Sequence, residues 1–118
     1  LSTSKTPQWG NVIWINFDPK RGHEQAGQRP ALVLSNSRYN AITGLCIVCP
    51  ITTQVKKYPT EVALPKMKTK GVVLTGQIRT LDWESRGFRF REKAPPNFVK
   101  EVIKFVTTLF QEDEALDE

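Results

Sequence analysis

The chain holds one histidine and two cysteines in 118 residues, and no apolar run approaches the roughly eighteen residues that a membrane helix needs. A charged-then-apolar leader is also missing from its start. These absences predict a soluble, cytoplasmic protein with no membrane partner. The shortage of metal ligands excludes just as much. Cys46 and Cys49 have C-x-x-C spacing, but they lie within LCIVCPI, an apolar run that reads as a buried strand, where residues three apart face opposite ways. With no second cysteine pair and His23 as the only histidine, one chain cannot assemble a closed tetrahedral zinc site. Both thiols are read as structural, and no metal or cofactor is expected.

Acidic residues are few and unevenly placed. Five of the twelve, Glu112, Asp113, Glu114, Asp117 and Glu118, fall in the last seven residues, so residues 1–111 carry seventeen bases against seven acids, a net +10. A body that basic points to a polyanionic partner. Internal repeats and linkers are absent, and two domains would each have too little core, so one domain is expected. Its predicted limits are 9–111, after a disordered lead-in at 1–8 and before an acidic tail at 112–118. Leu1 in place of methionine suggests a trimmed or tagged chain.

What is present reads mainly as β-structure. In the segment from Trp9 to Phe17, Ile13, Ile15 and Phe17 share one face while Val12 and Trp14 share the other. A strand apolar on both sides is covered on both, here by the core and by a helix or second subunit. Strands are also predicted at 31–35, 45–51, 61–64, 71–75, 77–83 and 86–93, punctuated by Gly, Pro, Asn and Ser. Many short strands with frequent turns suggest a small antiparallel barrel. After Pro95 and Pro96 the period changes: Val99, Val102, Ile103, Val106, Leu109 and Phe110 recur every three or four residues. That spacing predicts a C-terminal amphipathic helix packed on the barrel.

Residues 22–36, GHEQAGQRPALVLSN, place a glycine-bounded loop against an apolar strand. Gly22 and Gly27 can take the positive φ angles that fold such a loop over a sheet. Pro30 drives Arg29 toward extended backbone, which sets its guanidinium on a rigid junction. His23, Glu24 and Arg29 together offer acid, base and phosphate-binding chemistry. RNA carries its own nucleophile, the 2′-hydroxyl, so a nuclease acting on it without metal needs only a base, an acid for the leaving 5′-oxygen and positive charge on the phosphate. Gln25, Gln28 and Gln77 can bond bases or backbone, and Lys56, Lys57, Lys66, Lys68, Lys70 and Arg79 can follow phosphates. Trp14, Trp83, Phe17 and Tyr58 are aromatics available for stacking, although Trp14 and Phe17 sit in an apolar strand and read first as packing residues.

The loop resembles a signature of the MazF/PemK family of bacterial toxins. The likeness continues in order through WGNVIWINFDP (9–19), PITTQ (50–54), VVLTGQIRT (72–80), read as a central strand, and WESRG (83–87), read as a later strand start. It spans roughly residues 9 to 110. The resemblance implies an SH3-like antiparallel barrel with a C-terminal helix, paired as a homodimer and neutralised by an antitoxin with an acidic segment. It further implies an mRNA interferase cutting single-stranded RNA by 2′-hydroxyl attack, which leaves a 2′,3′-cyclic phosphate and a 5′-hydroxyl.

In that family the positions matching Arg29 and Thr52 are the ones most associated with cleavage. The resemblance therefore gives Arg29 the scissile phosphate and Thr52 a hydroxyl donated to it; the chemistry of the loop makes Glu24 our choice of general base, with His23 as its rival. Gly76 departs from the acidic or amide residue that many members carry before the glutamine, so no carboxylate can act there. A related toxin branch of the same barrel grips a protein such as a topoisomerase, and a plain RNA-binding domain is a third alternative.

Overall fold

The structure, a computed structural model, describes residues 6–19 and 22–114. Seven strands form one mostly antiparallel sheet: β1 (Asn11–Asn16), β2 (Gln28–Val33), β3 (Cys46–Thr52), β4 (Glu61–Ala63), β5 (Val72–Leu74), β6 (Arg79–Leu81) and β7 (Arg89–Lys93). The strand order is β4-β5-β3-β2-β1-β7, with β6 also paired to β3, so the sheet is open and ends at β4 and β7. Among the described residues three α-helices accompany the sheet: α1 (Ser37–Thr43), α2 (Trp83–Arg86) and α3 (Pro96–Thr108).

The strands are apolar on both sides because the bent sheet has a core on each. On one side Ile13, Ile15 and Phe17 meet Ala31, Val33, Cys46, Val48 and Leu81. On the other, Val12, Leu32, Cys49, Ile51 and Val73 pack under Phe98, Val99, Val102 and Val106 of α3. Cys46 and Cys49 thus belong to opposite cores, as their spacing in a strand requires. Each large side chain fully withdrawn from water contributes roughly 1.5–3 kcal/mol, so β1, buried on both faces, is a principal source of stability.

Four sequence-based boundaries change. The run 72–80 is not one strand: β5 pairs with the end of β3 (Ile51 opposite Val73), a 3₁₀ turn follows at Thr75–Gln77, and β6 pairs with the start of β3 (Val48 opposite Arg79). Pro50 lies in β3 beside the interruption, and a residue without an N–H cannot donate to a continuous ladder. The segment WESRG begins with α2 instead of a strand, because the Asp82 carboxylate accepts from the Ser85 N–H at 3.0 Å and caps a helical turn.

Helix α1 has no apolar periodicity to reveal it. Its signals are the caps, Asn36 accepting from the Tyr39 N–H and Gly44 at φ 73°. The α3 stripe also stops short: the helix ends at Thr108, and Leu109 and Phe110 remain 47% and 72% exposed. Of the expected lead-in, residues 1–5 lie outside the described residues, whereas Pro7 is buried and accepts from the Asn40 side chain at 2.7 Å. Residues 115–118 of the expected acidic tail also lie outside the described residues.

Candidate active site

The 22–27 loop is fixed at its base and across its middle. The Phe17 N–H donates to the Gly27 carbonyl at 2.9 Å, and the Gly27 N–H donates to the Asp18 carboxylate at 3.0 Å. At φ 72° Gly27 uses the left-handed backbone that glycine permits, as expected from the sequence. The Gln25 N–H donates to Gln77 Oε1 at 3.1 Å, so the 3₁₀ turn that interrupts the expected strand presents Gln77 to the loop. Arg29 stands in β2 opposite Ile15, and its Nε donates to the Ala26 carbonyl at 2.8 Å. That bond orients the guanidinium and leaves its terminal amino groups for a ligand.

Thr52 ends β3 and is 6% exposed. Its hydroxyl oxygen accepts from the Gln54 N–H at 3.1 Å, which leaves the hydroxyl proton to donate. Gly71 presses on the Thr52 backbone: at φ 115°, a Cβ there would lie 2.1 Å from the Thr52 carbonyl oxygen. The absent side chain is therefore a packing requirement as well as a backbone one.

Arg29 and Thr52 line one cavity of about 400 Å³, with Trp14, Gln28, Lys68, Thr69, Lys70 and Arg91 among its other walls. Four cationic side chains and no carboxylate line it among the described residues. In a partly enclosed site such a set attracts and holds a phosphodiester. Two further cavities share its residues. One of about 360 Å³ adjoins Thr52 and is lined by His23, Gln25, Gln54, Lys56, Tyr58 and Gln77. The other, about 250 Å³, joins His23, Glu24, Gln25 and Lys56 to Arg29. The four residues assigned catalytic roles from the sequence therefore lie along one groove, with His23 and Glu24 exposed at its rim.

Other candidates fall elsewhere. Arg79 Nη1 donates to the Phe17 carbonyl at 2.8 Å and its guanidinium lies 5.5 Å from the Phe17 ring, so its side chain props the loop base and lines none of these three cavities. Lys57 is exposed, with its N–H bonded to Glu61, and is likewise outside them. Phe17 is fully buried, and Trp83 packs edge-on against Phe88 while its indole N–H donates to the Asn40 carbonyl. Of the aromatics considered for stacking, Trp14 and Tyr58 reach the groove. Sequence reasoning missed Arg91 and Gln54. Only strand pairing brings Arg91 in, whereas Gln54 was legible as the last residue of the T-T-Q stretch.

Burial pushes the Cys46 and Cys49 thiols up to about 12, so both stay protonated and unreactive near neutrality. Among the described residues no three of His, Cys, Asp and Glu gather as metal ligands, and no helix is long and apolar enough to cross a membrane.

A family model described as PemK-like, MazF-like toxin of type II toxin-antitoxin system matches residues 8–110. The Endoribonuclease toxin MazF of Escherichia coli K12 is 49% identical over 81 residues, which cover 69% of this chain and 73% of that protein. The crystal structure of MazF from Deinococcus radiodurans superposes with a TM-score of 0.84 at 45% identity, covering 89% of this chain and 96% of that one. MazF in a MazE–MazF complex from the same organism gives 0.77 at 40% identity, covering 89% and 95%.

Proposed function

The chain belongs to the PemK-like, MazF-like toxins of type II toxin–antitoxin systems, and from that membership we propose a metal-independent endoribonuclease that cuts single-stranded RNA at short specific sequences. One observation carries the reading: Arg29 and Thr52 share a cavity whose charged lining is entirely cationic. The scissile phosphate sits there, held by the free amino groups of Arg29 and by the Thr52 hydroxyl proton, with Lys68, Lys70 and Arg91 around it. Charge on the pentacoordinate phosphate builds up against donors that are already oriented.

The substrate supplies the nucleophile. A base at the groove rim, Glu24 with His23 as the competing candidate, takes the 2′-hydroxyl proton; the 2′-oxygen bonds to phosphorus as the bond to the 5′-oxygen breaks, and Arg29 stabilises the departing oxygen, which takes a proton from water, leaving a 2′,3′-cyclic phosphate and a 5′-hydroxyl. Acid–base assistance is worth about 10² to 10⁴ in rate, and a placed donor roughly 10² to 10³. Neither suffices alone. Their combination with in-line orientation accounts for an RNase of modest speed.

The amide-rich cavity beside Thr52 receives a neighbouring base. Gln25 Oε1 is buried and finds no hydrogen-bond partner among the described residues. An amide group left in that state is completed by a polar ligand edge. Tyr58, 59% exposed, supplies a stacking face in the same cavity.

The reading includes a homodimer and an antitoxin with an acidic segment; a similar structure is that of a MazE–MazF complex. An acidic chain would bind the same cations that hold RNA. The decisive experiment incubates the purified protein with a long RNA in EDTA, beside an RNA carrying one deoxyribose at the scissile nucleotide. Cleavage of the first and protection of the second are expected. Cutting of the deoxy substrate would rule out the 2′-hydroxyl as nucleophile.

A further inference from the structure

The cationic wall of the cavity comes from a loop that has no regular secondary structure. Residues 65–70 connect β4 to β5, and Lys68 and Lys70 flank Thr69, which is only 3% exposed. The carboxylate of Glu92, on β7, takes hydrogen bonds from the Lys68 N–H at 3.1 Å, the Thr69 N–H at 2.6 Å and the Thr69 hydroxyl at 2.5 Å. The same hydroxyl oxygen accepts from Arg91 Nε at 2.8 Å. Arg91 in turn lies over Trp14, 5.4 Å from its ring centre. Beyond the loop, Gly71 is seated on Thr52 and its carbonyl accepts from the Leu64 N–H at 3.0 Å.

A carboxylate this close to a phosphate-binding cavity weakens it electrostatically unless it does something else. Glu92 does not line the cavity, and three donors occupy its oxygens, so it is poorly placed to act as a base there. Its bonds run to the Lys68 backbone and to Thr69, the residue between the two lysines, which Arg91 also holds. We propose that Glu92, acting through Thr69 and Arg91, is a positioning residue that latches the 65–70 loop to β7 and so sets the cationic wall of the site before RNA arrives. With the latch broken, ordering of Lys68 and Lys70 must occur during binding, and affinity falls while chemistry at Arg29 and Thr52 continues.

The part of this inference that concerns RNA rests on the nuclease reading; the part that concerns the loop does not. The test uses the full chain as wild type, Glu92→Gln, Thr69→Val and the conservative Thr69→Ser. Amide hydrogen exchange of residues 66–71 should quicken roughly tenfold or more in Glu92→Gln and Thr69→Val, with Thr69→Ser near wild type. In RNA cleavage KM should rise about three- to tenfold in Glu92→Gln, which does not line the cavity, with kcat within about twofold. Unchanged exchange in Glu92→Gln, or quicker exchange with unchanged KM, overturns the proposal. If the wild type cuts no RNA at all, the nuclease reading fails while exchange still decides whether the latch exists. Thr69→Ser guards against a folding defect, since loss of order in that variant too would mean that Thr69 acts through its packed methyl group and not through its hydroxyl.

Discussion

Two loops line different cavities of the groove and are secured in different ways. The 22–27 loop carries His23 and Glu24 exposed at the rim, tied down by backbone bonds to Asp18, Gln77 and Phe17. The 65–70 loop carries Lys68 and Lys70 and is tied through a buried threonine to a carboxylate on β7, at the other end of the sheet. The groups proposed to move protons thus sit on a loop held through its own backbone, whereas those proposed only to supply charge sit on a loop braced by a carboxylate. Proton transfer needs access to solvent and substrate; electrostatic stabilisation gains from donors that need not reorganise.

Removing the group between the two loops should have the largest effect. Arg29→Ala is expected to lose at least about a hundredfold in cleavage rate. Because the guanidinium contributes a single bond to Ala26 within the protein, thermal unfolding of the variant should stay close to wild type. A large fall in melting temperature would instead mean that Arg29 is a structural residue.

Glycine substitutions sharpen the comparison. In Gly71→Ala the new methyl group would meet the Thr52 carbonyl oxygen at 2.1 Å, so Thr52 or the loop must move. An overpacking cost of about 1–3 kcal/mol, added to the backbone strain, is expected in chemical denaturation, with a marked loss of cleavage. Gly27→Ala meets nothing within 4 Å and should cost only the left-handed strain of about 1–2 kcal/mol. Should Gly27→Ala prove the more damaging to stability, the contrast between an open and a packed loop would be wrong.

The wall that carries His23 and Glu24 was the more legible in sequence. Glycines at 22 and 27, a proline at 30 and three reactive side chains announce a functional loop, because turn chemistry is local. Alternation in β1 and the period of α3 were readable for the same reason. The second wall was half visible: Lys68 and Lys70 were noticed as cations, but Glu92 and Arg91 looked like ordinary strand residues until pairing of β7 with β1 placed them beside Thr69. Long-range partners leave no periodicity in a single chain. The break at Thr75–Gln77 was legible in part: the residues read as separate strands at 71–75 and 77–83, while the resemblance treated VVLTGQIRT as one central strand, and the 3₁₀ turn between them left no signal of its own. Leu109 and Phe110 continue a helical period, yet the helix ends before them, so periodicity overstated the packed face.

The smallest expected effect depends on pH and separates the two loops again. Burial raises the Glu92 pKa, but the Thr69 hydroxyl, the Thr69 and Lys68 N–H groups and the Arg91 charge outweigh it, so the carboxyl titrates below the ordinary glutamate range. A depressed carboxylate stabilises the folded state fully above its unfolded pKa, and that contribution is lost as pH falls through the lower folded value. Wild type should therefore keep slow amide exchange in residues 66–71, after correction for intrinsic rates, from neutrality down to about pH 5, and lose the advantage below about pH 4. Glu92→Gln should lack that acid step, so the two proteins converge on acidification. The 22–27 loop provides the internal control: none of its bonds runs to Glu92, so its protection should not differ between wild type and Glu92→Gln. If both loops loosened together at the same pH in wild type and in Glu92→Gln, the acid transition would be a property of the whole fold and the separate brace on the lysine-bearing wall would have no basis.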